Sequence, residues 1–164
     1  MKTIILLLLP FLGFSQVNLV PKNLFDGKIQ ISIPVELLES KNPLSHENDD
    51  IIFVSKAKNV ILSISYTEEK LNINQFRAYE RFLVKGLKED FPGIIIAATG
   101  VLKKNYRQIG FIECQRAIND KIIFSSIYFT SVDGRIFKIS LEYEKQYQPQ
   151  WKDVASEIMN TLKP

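Results

Sequence analysis

The chain has 164 residues, a formal charge of +3 and a single cysteine, Cys114, with one histidine, His46. Charges of both signs are interspersed, so there is no dense basic stripe of the kind nucleic acid requires. An internal disulfide is excluded, and zinc chemistry, which usually wants three or four protein ligands, finds one His and one Cys with only carboxylates to help.

The first element is a segment to be removed. Met1-Lys2 supplies one positive charge, and Ile4 to Leu9, Phe11, Leu12 and Phe14 form a short apolar run. A membrane-spanning helix needs about 20 apolar residues, more than this run offers. A charged start, a short apolar core and small residues after it make the pattern of a cleavable secretory signal. Gly13 and Ser15 fit the −3 and −1 positions, which predicts a signal peptide over 1–15 and Gln16 as the new N-terminus. No cysteine lies there for acylation, so a lipoprotein is not expected. The protein is therefore expected to be exported, to the periplasm or the cell exterior, with no integral membrane segment after cleavage. What remains is about 150 residues, enough to bury a core without a disulfide.

Residues 16–23 are expected to be a flexible leader, and 24–164 a single domain. Lys28 to Pro34 alternates Ile29, Ile31 and Ile33 with Gln30 and Ser32, the period of a half-buried strand. Val35 to Ser40 is expected to form one helical turn, and Lys41 to Asp50, polar and carrying Pro43, a loop. Ile51 to Ser55 and Val60 to Tyr66 are predicted to pair as a hairpin. From Leu71 the period changes. Ile73, Phe76, Tyr79, Leu83, Leu87 and Phe91 recur at threes and fours, predicting a helix with Asn72 or Asn74 as its cap and Pro92-Gly93 as its stop.

Ile94 to Leu102 is predicted as a strand turning at Lys103-Lys104-Asn105. Tyr106 to Ala117, Lys121 to Val132 and Arg135 to Tyr143 follow, separated by Asn119-Asp120 and Asp133-Gly134, dipeptides suited to two-residue turns with positive φ. Counting outward from those turns places Glu113 opposite Ser126 and Ser126 opposite Leu141. It likewise sets Cys114, Ser125 and Glu142 in one row. One face then collects Ile109, Phe111, Ile122, Phe124, Tyr128, Phe137, Ile139, Leu141 and Tyr143 and must be buried. The other mixes Ile112, Ile123, Ile127, Phe129 and Ile136 with polar residues and is expected to be partly covered. Pro149 opens a last helix in which Trp151, Val154, Ala155, Ile158, Met159 and Leu162 keep helical spacing. The fold class is α+β: a mainly antiparallel sheet packed by a central and a C-terminal helix.

This order resembles the PsbP/DcrB-like domains. The resemblance rests on Gly27-Lys28-Ile29-Gln30-Ile31-Ser32-Ile33-Pro34 as opening strand and on the central helix. Asp133-Gly134-Arg135-Ile136-Phe137-Lys138-Ile139-Ser140 and the Trp151-containing terminal helix add to it. It spans about residues 24 to 163. It implies an α/β/α sandwich used as a binding or assembly module and brings no catalytic residues; the partner is expected to be an unidentified envelope protein.

No chemistry stands out. His46-Glu47-Asn48-Asp49-Asp50 offers oxygen ligands but lacks the glycine and terminal glutamate of a calcium loop, so it reads as solvated. Cys114, with no base placed near it, reads as a small buried strand residue. Arg116 falls opposite Ile123, whose further neighbour is Glu144, and is expected to make a surface ion pair. Glu113 is the exception, because the register points it at the apolar face among Phe111, Tyr128 and Leu141. It is either a polar contact inside a ligand pocket, with Tyr128 beside it, or is turned outward by a bulge, or is satisfied by Ser126 or Tyr128. The aromatics Tyr106, Tyr143, Tyr147 and Trp151 are expected in the core, some rimming a contact surface. The expectation is a non-enzymatic protein-binding or accessory module with no cofactor and no metal. The alternative is a carrier of a lipid or small apolar ligand between the sheet and the central helix.

Overall fold

The computed structural model describes residues 17–40, 50–57, 59–104 and 106–163. The signal segment and its cleavage point, the His46 loop and Asn105 of the Lys103-Lys104-Asn105 turn lie outside the described residues.

The described chain starts with a hairpin. β1 (Leu19–Leu24) pairs antiparallel with β2 (Ile29–Pro34) across a turn in which Phe25, Asp26 and Gly27 all take positive φ. The expected leader over 16–23 is therefore corrected: Val17 is buried and Leu19 to Asn23 are paired. Pro21 disguised the strand. A proline offers no ladder donor and is tolerated where no second neighbour must be served, and among the described residues β1 has β2 alone as its neighbour.

A seven-stranded sheet follows, in the order β3-β4-β5-β9-β8-β7-β6, with antiparallel pairing throughout. Its strands are β3 (Leu37–Glu39), β4 (Ile51–Ser55), β5 (Val60–Lys70), β6 (Ile95–Lys104), β7 (Arg107–Ile118), β8 (Lys121–Val132) and β9 (Arg135–Glu144). The helical turn expected over 35–40 is instead β3. Burying Leu37 against the core and pairing Ser40 N–H with the Ile52 carbonyl outweigh the local helical preference. β5 also runs four residues beyond the expected Tyr66, through an irregular stretch to Lys70 opposite Arg135.

The last three sheet strands follow the register counted from their turns. Asn119 and Asp120 have φ of 47° and 63°, and Asp133 and Gly134 of 50° and 78°, so both turns take the left-handed geometry that matches strand twist. Glu113 stands opposite Ser126 and Ser126 opposite Leu141, while Cys114, Ser125 and Glu142 form the adjacent row.

The sheet separates two cores. On one face Phe137, Ile139, Leu141, Leu62, Ile64 and Phe53 are fully buried beneath the β1–β2 hairpin and the C-terminal helices. Those helices are α2 (Gln148–Trp151) and α3 (Val154–Asn160), so the single amphipathic helix expected here is broken at Lys152-Asp153. The break does not disturb the apolar stripe: Trp151, Val154, Ala155, Ile158, Met159 and Leu162 are all buried. The tail then clamps the hairpin, with Gln30 and Lys163 exchanging backbone hydrogen bonds of 2.9 and 2.8 Å.

On the other face lies α1 (Phe76–Asp90), preceded by a 3₁₀ turn over Ile73–Gln75 whose Asn72 N–H donates to the Gln75 side-chain oxygen. The tighter turn rotates Ile73 out of the helical stripe, and it is exposed. Phe76 and Tyr79 pack on the fully buried Phe129 ring, stacked at 5.8 Å and edge-on at 5.0 Å. Together with Leu71 and Ile136 they form the smaller core. Gly110 makes this docking possible, since a Cβ there would lie 1.9 Å from the Phe129 ring.

Candidate interaction surface

α1 crosses the sheet obliquely. It begins over Phe129 and Ile136 and packs along β6 and β7, and the residue after it, Phe91, rests against Arg116. Among the described residues, the part of this face carried by the start of β5, the end of β9 and the start of β8 is left open. An apolar groove of about 320 Å³ lies there, its floor formed by Ile61, Ile118 and Ile123 and its rim by Glu142, Glu144 and Lys121. Ile61 is 39% exposed and Ile118 41%. Beside the sheet, Phe82 stacks on Tyr79 from the solvent side and is 68% exposed. Burial pushes the Tyr79 hydroxyl up to about 12, with the nearby Glu69 charge adding to the rise.

A row of polar side chains divides the groove from α1. The Arg116 guanidinium donates to both Glu142 carboxylate oxygens at 3.0 and 3.1 Å and lies 4.2 Å from the centre of the Phe91 ring. Ser125 Oγ donates to the same carboxylate at 3.2 Å. The pair expected between Arg116 and Glu144 is thus corrected. Glu144 takes Lys121 at 2.8 Å instead, because Arg116 reaches diagonally to the next carboxylate along β9. Nor is the Arg116 pair a surface decoration: its side chains are only 15% and 29% exposed, and Arg116 Nε is buried without a partner.

Cys114 is buried next to this row. Burial pushes its thiol up, and Glu142 adds to the rise, while Arg116 and a hydrogen bond with Ser125 oppose it. A thiol held protonated is a poor nucleophile.

Glu113 lies on the opposite face, and no bulge turns it outward. The β7–β8 register runs unbroken from Ile109 to Ile118, and the irregularity in this region falls between Ile96 and Ala98 on β6. α3 packs over β2, β8 and β9, leaving Glu113 on β7 half-buried at its margin. Its charge reaches two buried phenols. Burial first and Glu113 second push Tyr128 up, against the lowering effect of a Ser156 hydrogen bond. Tyr143 is raised by burial and by Glu113, with Ser126 opposing. Glu113 and Tyr128 are therefore neighbours, as the register required. They lie on the α3 side of the sheet, however, and α1 is across it. A ligand pocket between the sheet and the central helix with Glu113 as its polar contact is geometrically excluded.

Of the aromatics expected in the core, Trp151 and Tyr143 are buried, Tyr147 is half-buried and Tyr106 is fully exposed. One buried acid escaped the sequence reading. Glu80, 7% exposed, accepts a hydrogen bond from Thr99 Oγ1 on β6 and an ion pair from Arg77 at 3.2 Å. Its spacing from Phe76 and Leu83, four and three residues, was the available signal, since those intervals put it on the sheet-facing stripe. Among the described residues no three His, Cys, Asp or Glu side chains come together to hold a metal ion, and no helix is long and apolar enough to cross a membrane.

This geometry defines a class: a PsbP-like α+β fold, with helices on both sides of one antiparallel sheet. A cyanobacterial PsbP protein (CyanoP) from Synechocystis superposes with a TM-score of 0.69 at 9% identity, over 92% of this chain and 95% of that one. The Ran-binding protein Mog1p of Saccharomyces cerevisiae gives 0.68 at 11% identity, over 90% and 96%. LpqN of Mycobacterium tuberculosis, described as involved in cell envelope biogenesis, gives 0.51 at 13%, over 90% and 92%. No family model and no curated protein matches the sequence. At such identities the likeness establishes the fold alone.

Proposed function

We propose that this is an exported, non-enzymatic accessory protein that binds another envelope protein through the open part of the sheet face beside α1. The observation that carries the reading is the groove floored by Ile61, Ile118 and Ile123, with polar residues around it. An apolar centre within a polar rim is the anatomy of a protein contact. The Arg116–Glu142 pair, already desolvated and braced by Phe91, gives such a contact a fixed polar landmark at little further ordering cost. Cys114, buried and with its thiol pushed up, offers no ready nucleophile for a competing enzymatic reading. Export is supported by the charged start, apolar run and small residues over 1–15. Among similar folds, one belongs to a Ran-binding protein and one to a protein involved in cell envelope biogenesis, which supports a binding role in the envelope.

The test is photo-crosslinking in living cells with a reactive residue at Ile118, and at Lys22 on the distant hairpin as control. A discrete adduct from position 118 that is absent from position 22 is expected. Identical adducts from both positions, or none, would overturn the assignment. Sequencing the N-terminus of the mature protein tests export, with Gln16 expected first and Met1 contradicting it.

A further inference from the structure

The two ends of the seven-stranded sheet differ sharply. β3 is three residues long, too short to template another strand, whereas β6 has ten residues and no strand beyond it among the described residues. Long unpaired edges attract other strands, and proteins blunt them with bulges, lysines or prolines. β6 carries such devices only at its ends: the irregularity between Ile96 and Ala98, and Lys103 with Lys104. Between them Ala98-Thr99-Gly100-Val101-Leu102 has neither charge nor proline.

The surroundings of that stretch select what can pair with it. On the α1 side a groove of about 620 Å³ runs between helix and strand, lined by Thr99, Val84 and the charged residues of α1. Glu80 is held by Arg77 and Thr99, and Glu89 lies 3.6 Å from Lys85. Arg81 and Lys88 have no carboxylate within ion-pairing distance among the described residues. The groove is thus left with uncompensated positive charge, and Lys103, on the same side of the strand as Thr99, adds to it. On the opposite side of the strand, Gly100 lies against the Phe111 ring and Leu102 is exposed, which favours an apolar neighbour.

We propose that the β6 edge takes up an extended segment of a partner protein as an additional strand, with acidic side chains facing Arg81 and Lys88 and apolar ones facing Gly100 and Leu102. Backbone hydrogen bonds give such a contact its affinity, and the alternating side chains give it selectivity. A second copy of this chain is a poor occupant, because pairing β6 with itself gathers Arg81, Lys88, Lys103 and Lys104 of both copies at one seam. The site lies across α1 from the groove at Ile118 and is independent of it.

The test uses the purified domain and short capped peptides alternating Val with Glu or Val with Lys, read by amide hydrogen exchange. The Val–Glu peptide is expected to slow exchange within Ala98 to Leu102, and the Val–Lys peptide to bind at least about tenfold more weakly. Reversing the charges with Arg81→Glu and Lys88→Glu, both exposed positions, should invert that preference. Methylating alternate peptide nitrogens on the pairing edge should abolish protection, while Ile118→Asp should leave it unchanged. The proposal is overturned by an absence of β6 protection up to the solubility of the Val–Glu peptide, or by binding indifferent to charge reversal. Protection that grows with protein concentration without peptide would also overturn it, assigning the edge to a second copy.

Discussion

Gly110→Ala should be among the most damaging single-atom changes in this protein. The added Cβ would lie 1.9 Å from Phe129 Cζ and 2.3 and 2.4 Å from the adjoining ring carbons, where ordinary contact begins near 3.4 Å. The ring cannot retreat, because Phe76 stacks on it and Tyr79 meets it edge-on. Gly110 itself is held between β6 and β8, paired with Val101 and Phe129. Relief therefore requires lifting the start of α1 off the sheet. Overpacking of a well-filled core costs about 1–3 kcal/mol, and a site with no free side should lie near the top of that range. For a domain of this size each kcal/mol lowers the melting temperature by roughly 2–4 °C, giving a fall of about 6–12 °C. Urea unfolding followed by circular dichroism should show an earlier midpoint with an unchanged slope. The reasoning also predicts non-additivity. Phe129→Ala alone should cost about 3–5 kcal/mol, but Gly110→Ala added to it should cost almost nothing, because the clash has gone. A loss below about 0.5 kcal/mol for Gly110→Ala, or simple additivity in the double variant, would refute the packing argument.

Three other consequences follow from the same geometry. Glu80→Gln keeps the shape at the α1–β6 contact but removes the charge from its bonds with Arg77 and Thr99, and should destabilise by about 1 kcal/mol in urea titrations. Gly134→Ala places a side chain at φ 78° in the β8–β9 turn and should cost about 1 kcal/mol without altering the native spectrum. Alkaline pH should weaken the fold. Tyr79, Tyr128 and Tyr143 hold their protons above the ordinary value near 10, so their stabilisation is complete below pH 10. It is lost as pH rises through the folded values, which for Tyr79 means across pH 10 to about 12. Tyr79→Phe should flatten that decline in pH-dependent unfolding, and an unchanged slope would contradict it.

Much of the site's framework was legible because it is local. Two dipeptides with positive φ set the β7–β8–β9 register, and a period of two then fixes which side chains share a face, so residue order alone puts Glu113 and Tyr128 together. The terminal stripe from Trp151 to Leu162 was equally plain, and it survives the break at Lys152-Asp153 because spacing, not helix continuity, decides burial. What sequence could not supply was which helix covers which face. Period two divides residues into two sets without saying which set meets α1, and the carrier pocket built around Glu113 failed on that point. β1 and β3 were hidden for a related reason: their pairing energy comes from β2 and β4, while their own residues, with Pro21 and Val35-Glu36, argue for something else.

The sequence by itself determined the register of β7, β8 and β9, their two-sidedness and the apolar stripes of the helices, since turn chemistry and periodicity act over neighbouring residues. Only tertiary structure decided that α1 crosses obliquely, leaving the groove at Ile118 open and β6 exposed, and that Arg116 meets Glu142 instead of Glu144. Those outcomes depend on the angle at which one layer settles on another. That angle is set by where Phe129 fits under Phe76 and over Gly110, a contact between elements far apart in the chain.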